Sequence, residues 1–118
     1  MDLNKLEREI LALITRRGSV SFVELARKID GFVGDLEYVS DFCDNIFFWA
    51  GISPAGMDAL ERLKKLGLIE GLPASMLTYV ADGSVLDMPI VTARRKYTEP
   101  HWLPIVFTAS KHGKNRAA

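Results

Sequence analysis

Met88-Pro89-Ile90-Val91-Thr92 and Leu103-Pro104-Ile105-Val106-Phe107-Thr108 are two similar apolar strings, separated by the ten residues from Ala93 to Trp102. Both are rich in β-branched residues and each has a proline near its start, which suits a strand beginning or a sheet edge. Together they read as a β-hairpin carrying a long loop at its tip, Ala93 to Trp102. Met76–Val80 is also β-prone, and Ala81-Asp82-Gly83-Ser84 reads as a turn. The last third of the chain is therefore expected to be a two- or three-stranded antiparallel sheet, followed by a basic tail over 111–118.

Ahead of this region the pattern is helical. Asn4 with Glu7 forms a variant of the capping box, and Leu6, Ile10, Leu13 and Ile14 then share one face until Gly18 stops the helix. Ser21 with Glu24 is a second capping box, stapled by Val20 and Leu25, with Leu25, Ala26 and Ile29 inward and Asp30-Gly31 at its end. A third helix opens with Ser53 as cap and Pro54 as first residue, where its missing N–H costs nothing. Met57, Leu60, Leu63 and Leu66 line its inner face; Asp58, Glu61, Arg62 and Lys65 point out, and Gly67 closes it. Between the second and third of these helices the reading is less regular. Asp35 to Cys43 suits a short helix with Leu36, Val39 and Phe42 inward, and Asn45 to Ala50 a short buried strand or extended plug.

Composition bounds the answer. Apolar residues make up 48% of the 118 and charged residues 25%, a globular rather than a disordered mixture, and the length suits one domain. No apolar run approaches the roughly 18 residues of a membrane span, and no basic segment precedes an apolar one near the N-terminus. Cys43 is the only cysteine, so no internal disulfide forms; its neighbours Asp41, Phe42 and Asp44 do not activate a thiol. These features suggest a cytoplasmic protein. The net charge is zero but unevenly spread: residues 1–61 hold eleven acids against six bases, and residues 62–118 four against nine. Between Gly31 and Glu61 lie six acids and no Lys or Arg. Two faces with different partners would account for this.

Three helices followed by a β-hairpin is the element order of the winged helix-turn-helix domain, and local strings resemble that superfamily too. Ala59-Leu60-Glu61-Arg62-Leu63-Lys64-Lys65-Leu66-Gly67-Leu68-Ile69-Glu70 is similar to the end of a recognition helix and the turn into the first wing strand. Ile105-Val106-Phe107-Thr108 followed by Gly113 is similar to the closing wing strand. The resemblance implies an α+β fold with three to four helices, then a small antiparallel sheet with a basic hairpin loop. One domain would cover 1–118, with its core at about 3–110. It further implies a small protein, a homodimer, that binds double-stranded DNA and regulates transcription. A recognition helix over 53–66 would present Ser53, Ala55, Arg62 and Lys65, and a basic wing over 93–102 would present Arg94, Arg95 and Lys96. Two departures stand out. The connection from Asp30 to Ser53 far exceeds the usual short turn, and Ser53 to Asp58 contains no Arg, Lys, Asn or Gln to read base edges.

The residues themselves favour binding over catalysis. Arg94-Arg95-Lys96-Tyr97 can reach phosphates with strong salt dependence, and Lys64, Lys65, Lys111, Lys114 and Arg116 extend the positive charge. His101 and His112 lack metal-ligand spacing, Gly31 to Gly34 is not a phosphate loop, and no nucleophile has a nearby base. No enzyme activity, cofactor or metal is expected. Phe47-Phe48-Trp49 reads as core. The alternative is a protein–protein interaction module in which the acidic 31–61 segment docks a basic partner.

Overall fold

The computed structural model describes residues 2–110 and is an α+β fold with four helices and two three-stranded sheets interleaved with them. Helix α1 (Lys5–Arg17) begins where Asn4 accepts the Glu7 N–H and Glu7 accepts the Asn4 N–H, so the box expected from sequence is complete. Strand β1 (Ser19–Val20) leads into α2 (Phe22–Lys28), capped by Ser21 Oγ on the Glu24 N–H. Here the box is half made. The Glu24 carboxylate turns instead to Arg17 at 2.7 Å and Lys28 at 3.0 Å. Helix α3 (Pro54–Lys65) starts at Pro54 under the Ser53 cap, as its sequence dictates.

Between α2 and α3 the chain makes a hairpin of β2 (Val33–Val39) and β3 (Ile46–Ile52). The short helix expected from Asp35 to Cys43 does not form. The spacing of Leu36, Val39 and Phe42 fits a helix, but Leu36 and Phe42 are about two-fifths exposed and the buried residue is Tyr38. Pairing with the apolar β3 outweighs the local pattern, and the bulges along β2 let it bend against α3. The buried strand expected over 45–50 is β3.

The C-terminal third departs most from expectation. After β4 (Ile69–Pro73) the chain forms a helix, α4 (Met76–Asp82), where a strand was expected. Ser75 caps its start and Gly83, at φ +103°, caps its end, so two terminal signals override the β-propensity between them. The hairpin of 88–92 with 103–108 is absent too. Residues 88–92 are not a strand; Ile90 makes only an isolated bridge to Trp102. Strand β5 (His101–Trp102) runs parallel to β3, and β6 (Ile105–Ala109) joins β1 and β4. The prolines explain part of this, since neither Pro89 nor Pro104 can donate to a ladder. The orders are β1-β6-β4, antiparallel throughout, and β2-β3-β5. With a hairpin between α2 and α3 and a helix between β4 and β5, this is not the standard winged-helix order. The tail at 111–118, with Lys111, His112, Gly113, Lys114 and Arg116, lies outside the described residues. Among those described, no helix is long and apolar enough to cross a membrane.

One core serves both sheets. Ile10, Leu13 and Ile14 of α1, Phe22 and Leu25 of α2, and Leu60 and Leu63 of α3 are at most 2% exposed, as is Phe107 of β6. Phe22 lies T-shaped on Phe107 and stacked on Trp49, and Trp49 meets Tyr79 and Trp102. The Tyr79 hydroxyl accepts the Phe22 N–H and donates to the Ile105 carbonyl. Burial, and then the charge of Asp82, push the Tyr79 phenol above its ordinary range, with the Phe22 N–H partly offsetting them.

Tyr79→Phe should therefore destabilise the fold by about 1–3 kcal/mol, because it orphans two buried backbone groups; urea denaturation measures this. The wild type should lose stability as the pH climbs above about 10, where the unfolded phenol ionises and the folded one resists. In Tyr79→Phe that alkaline loss should be shallower.

Candidate nucleic-acid interface

Helix α3 places its expected contact residues apart in role. Ser53 is occupied by the cap: its hydroxyl accepts the Gly56 N–H and donates to the Gly31 carbonyl. Ala55 is exposed but brings no donor. Gly56 lets the helix lie close on Phe32, whose ring carbon sits 3.0 Å from where a Cβ would be. Arg62, half-exposed, gives its guanidinium to Glu7, a carboxylate only 2% exposed, so its charge is already answered. Lys64 donates to the Tyr38 hydroxyl and lies 5.1 Å from that ring's centre. Lys65 is exposed and, among the described residues, in no ion pair. The outer stripe of α3 is completed by exposed Asp58 and Glu61. Strand β2, packed beside α3, adds exposed Asp35 and Glu37. Carboxylates repel a phosphate backbone, and no side chain at the start of α3 can reach into a groove and donate.

The loop at Arg94-Arg95-Lys96 is built differently from a free hairpin tip. Tyr97, 4% exposed, folds back so that its hydroxyl accepts the N–H groups of Thr92 and Ala93 at 3.0 Å and donates to the Ala93 carbonyl. Burial works to raise this phenol's pKa. The amides of Ala93 and Thr92, the Thr92 side chain and the Arg95 charge outweigh it, and the pKa falls below the ordinary value. The Tyr97 carbonyl is in turn held by Asn45 Nδ2 at 2.9 Å and by Cys43 Sγ at 3.6 Å. His101 stacks on the ring at 3.9 Å. The loop thus lies against the turn between β2 and β3, the tip of the acidic segment.

Phe42 from that turn completes the arrangement. Arg94 sits 5.4 Å and Lys96 6.0 Å from its ring centre, while Arg95 sits 4.2 Å from that of Tyr97. Each such contact contributes about 0.5–1 kcal/mol at an exposed site. All three cations remain exposed, and among the described residues none pairs with a carboxylate, although Asp41 and Asp44 share the turn. Burial, a hydrogen bond to Glu61, and the charges of Glu61 and Asp41 push the Tyr38 phenol above its ordinary range. Of these acids, Glu61 also lies 3.9 Å from Lys64.

The structure therefore brings Arg94, Arg95 and Lys96 together and leaves Ser53, Ala55, Arg62 and Lys65 as a separate, electrostatically mixed face. Phe42, Asn45 and Glu7 were not identified as site residues from sequence. Their partners lie 52 to 55 residues away, and no local pattern announces such contacts. Among the described residues there is no cluster of His, Cys, Asp and Glu that would hold a metal. No family model, curated protein or solved structure matches this chain.

Removing the guanidinium above Tyr97 tests this geometry. Arg95→Ala should raise the Tyr97 pKa toward the ordinary phenol value, followed by the pH dependence of the ring-carbon NMR shifts. An unchanged titration would mean that the guanidinium does not act on the ring in solution.

Proposed function

We propose that this chain is a non-catalytic binding module that grips duplex DNA by its phosphates through Arg94, Arg95 and Lys96. The observation that carries this reading is the cationic–aromatic cluster itself. Three consecutive exposed cations are held over the rings of Phe42 and Tyr97 by a loop pinned through Asn45 and Cys43. A pinned loop loses little conformational freedom on binding, so more of its Coulomb attraction survives as affinity. Helices α1 to α3 with the sheet β1-β6-β4 support reading the body as an elaborated winged helix. In that reading the hairpin β2–β3 is inserted between α2 and α3, and residues 74–104 form an enlarged wing. The grip belongs to the loop rather than to the 53–66 helix, whose acids and capped Ser53 favour neither phosphate nor base contact. Such a module would recognise DNA with little sequence preference and would serve transcription only alongside other sequence-reading contacts.

Arg95→Ala combined with Lys96→Ala should weaken duplex binding about tenfold at low salt. The double variant should also reduce the slope of log affinity against log salt by about 2, one unit for each lost phosphate contact. Fluorescence anisotropy of a labelled duplex measures both, and binding should be similar across unrelated sequences. A second reading has its own support: exposed Asp35, Glu37, Asp58 and Glu61 line β2 and α3 and would dock a basic protein. If the duplex gives no anisotropy change at low salt while poly-lysine binds and is released by salt, the acidic face is the working surface.

A further inference from the structure

A cleft of about 500 Å³ opens beside the basic loop, between the turn that follows β2, the end of β4 and the run 91–94. This lies within the range of small-molecule sites, roughly 300–1,000 Å³. It is lined by the apolar residues Phe42, Ile46, Pro73, Val91 and Leu103, with Arg94 beside them. Apolar walls left partly in water are costly, and they close together unless the backbone holds them apart. Here it does. The Val91 N–H is tied to the Trp102 carbonyl at 2.9 Å and Leu103 to Phe47 at 2.9 Å, while Ser40 is tied to Ile46 at 2.8 Å and Ala74 to Pro104 at 2.9 Å. The four bonds hold the surrounding segments in place and keep the cleft open. Its one charged group, the Arg94 guanidinium, lies 5.4 Å from the Phe42 ring and meets no carboxylate among the described residues. Ser40 and Thr92 also lie along the lining.

We infer that this cleft binds a free small molecule with an apolar body and a single carboxylate, its carboxylate on Arg94 and its body along Phe42, Val91 and Leu103. Charge selects the head, because a guanidinium takes a carboxylate through two parallel N–H···O bonds. The apolar walls select the body through the area they remove from water. This does not rest on the nucleic-acid reading. Arg94 is common to both readings, so a phosphate and a carboxylate would compete for it, but the cleft itself is a separate feature of the fold.

Octanoate, with octanamide as the uncharged control, tests the inference in the whole protein by amide chemical-shift titration. Saturable shifts are expected at Ser40, Phe42 and Val91 to Arg94, with octanamide about tenfold weaker. Arg94→Gln should bring octanoate down to the octanamide level and leave octanamide unchanged; the exposed position keeps the fold intact. Val91→Glu, which sets a carboxylate in the cleft, should abolish octanoate binding. Shifts that do not saturate, shifts elsewhere, equal affinity for the two probes, or an Arg94→Gln protein that still prefers octanoate would each overturn it. Duplex binding, measured separately, does not enter any of these outcomes.

Discussion

The Tyr79 hydroxyl is the contact on which the arrangement of this molecule depends. Placed between the first residue of α2 and the first residue of β6, it satisfies a donor on one and an acceptor on the other. Its ring lies T-shaped on Trp102, and Trp102 donates its indole N–H to the Phe48 carbonyl in β3. A single fully buried side chain thus connects α4, the three-helix body and both sheets. Helix α4 has few other attachments. Ser21 and Arg27 hold its end at Asp82, while Met76, Leu77 and Val80 face outward. At seven residues the helix is too brief to persist by propensity alone, so it depends on these tertiary anchors.

The same keystone positions the candidate site. Because Trp102 is fixed beside β3, opposite Phe47, His101 is paired with Ile46, and the chain before it must pass along the tip of the β2–β3 hairpin. Tyr97 is thereby delivered to Asn45 and Cys43, and Arg94 and Lys96 to Phe42. Basic and acidic segments that the sequence separates are neighbours in space. The electrostatics of the surface then follow from placement rather than from net charge. Arg62 is paired with a buried glutamate and Lys64 with Glu61, whereas the loop cations rest on rings and meet no carboxylate among the described residues.

Helices α1, α2 and α3 were legible because each announces its own ends. Asn4, Ser21 and Ser53 cap them, and the apolar spacing between caps and stops is local information. Strand β3 was legible from its unbroken apolar run. Strand β2 was not, since Leu36, Val39 and Phe42 fit a helical period by coincidence and only pairing with β3 decides against it. Helix α4 was not legible, because Met76 to Val80 is β-prone and its caps, Ser75 and Gly83, are equally at home in turns. The closing strings 88–92 and 103–108 look alike, yet Ile105 to Ala109 finds better partners in Ser19 to Val20 and Ile69 to Pro73. Likeness between two strings says that both can pair, not that they pair with each other. In the site, the cations were visible as charge, but Phe42 and Tyr97 as their platforms required the tertiary fold.

Strand β6 is the middle strand of its sheet and β5 completes the other, so both sheets wait for residues 101–109. During translation, β1 and β4 leave the ribosome with open edges and no partner, and the hairpin β2–β3 emerges without its third strand. Contacts joining positions so far apart in the chain form slowly. Until residues 101–109 emerge, the nascent chain holds exposed strand edges, a period in which chaperone capture or mispairing competes with folding. Without residues 105–109, β1 and β4 would lose the strand that joins them, and the loss would be a broken sheet rather than a slightly smaller domain.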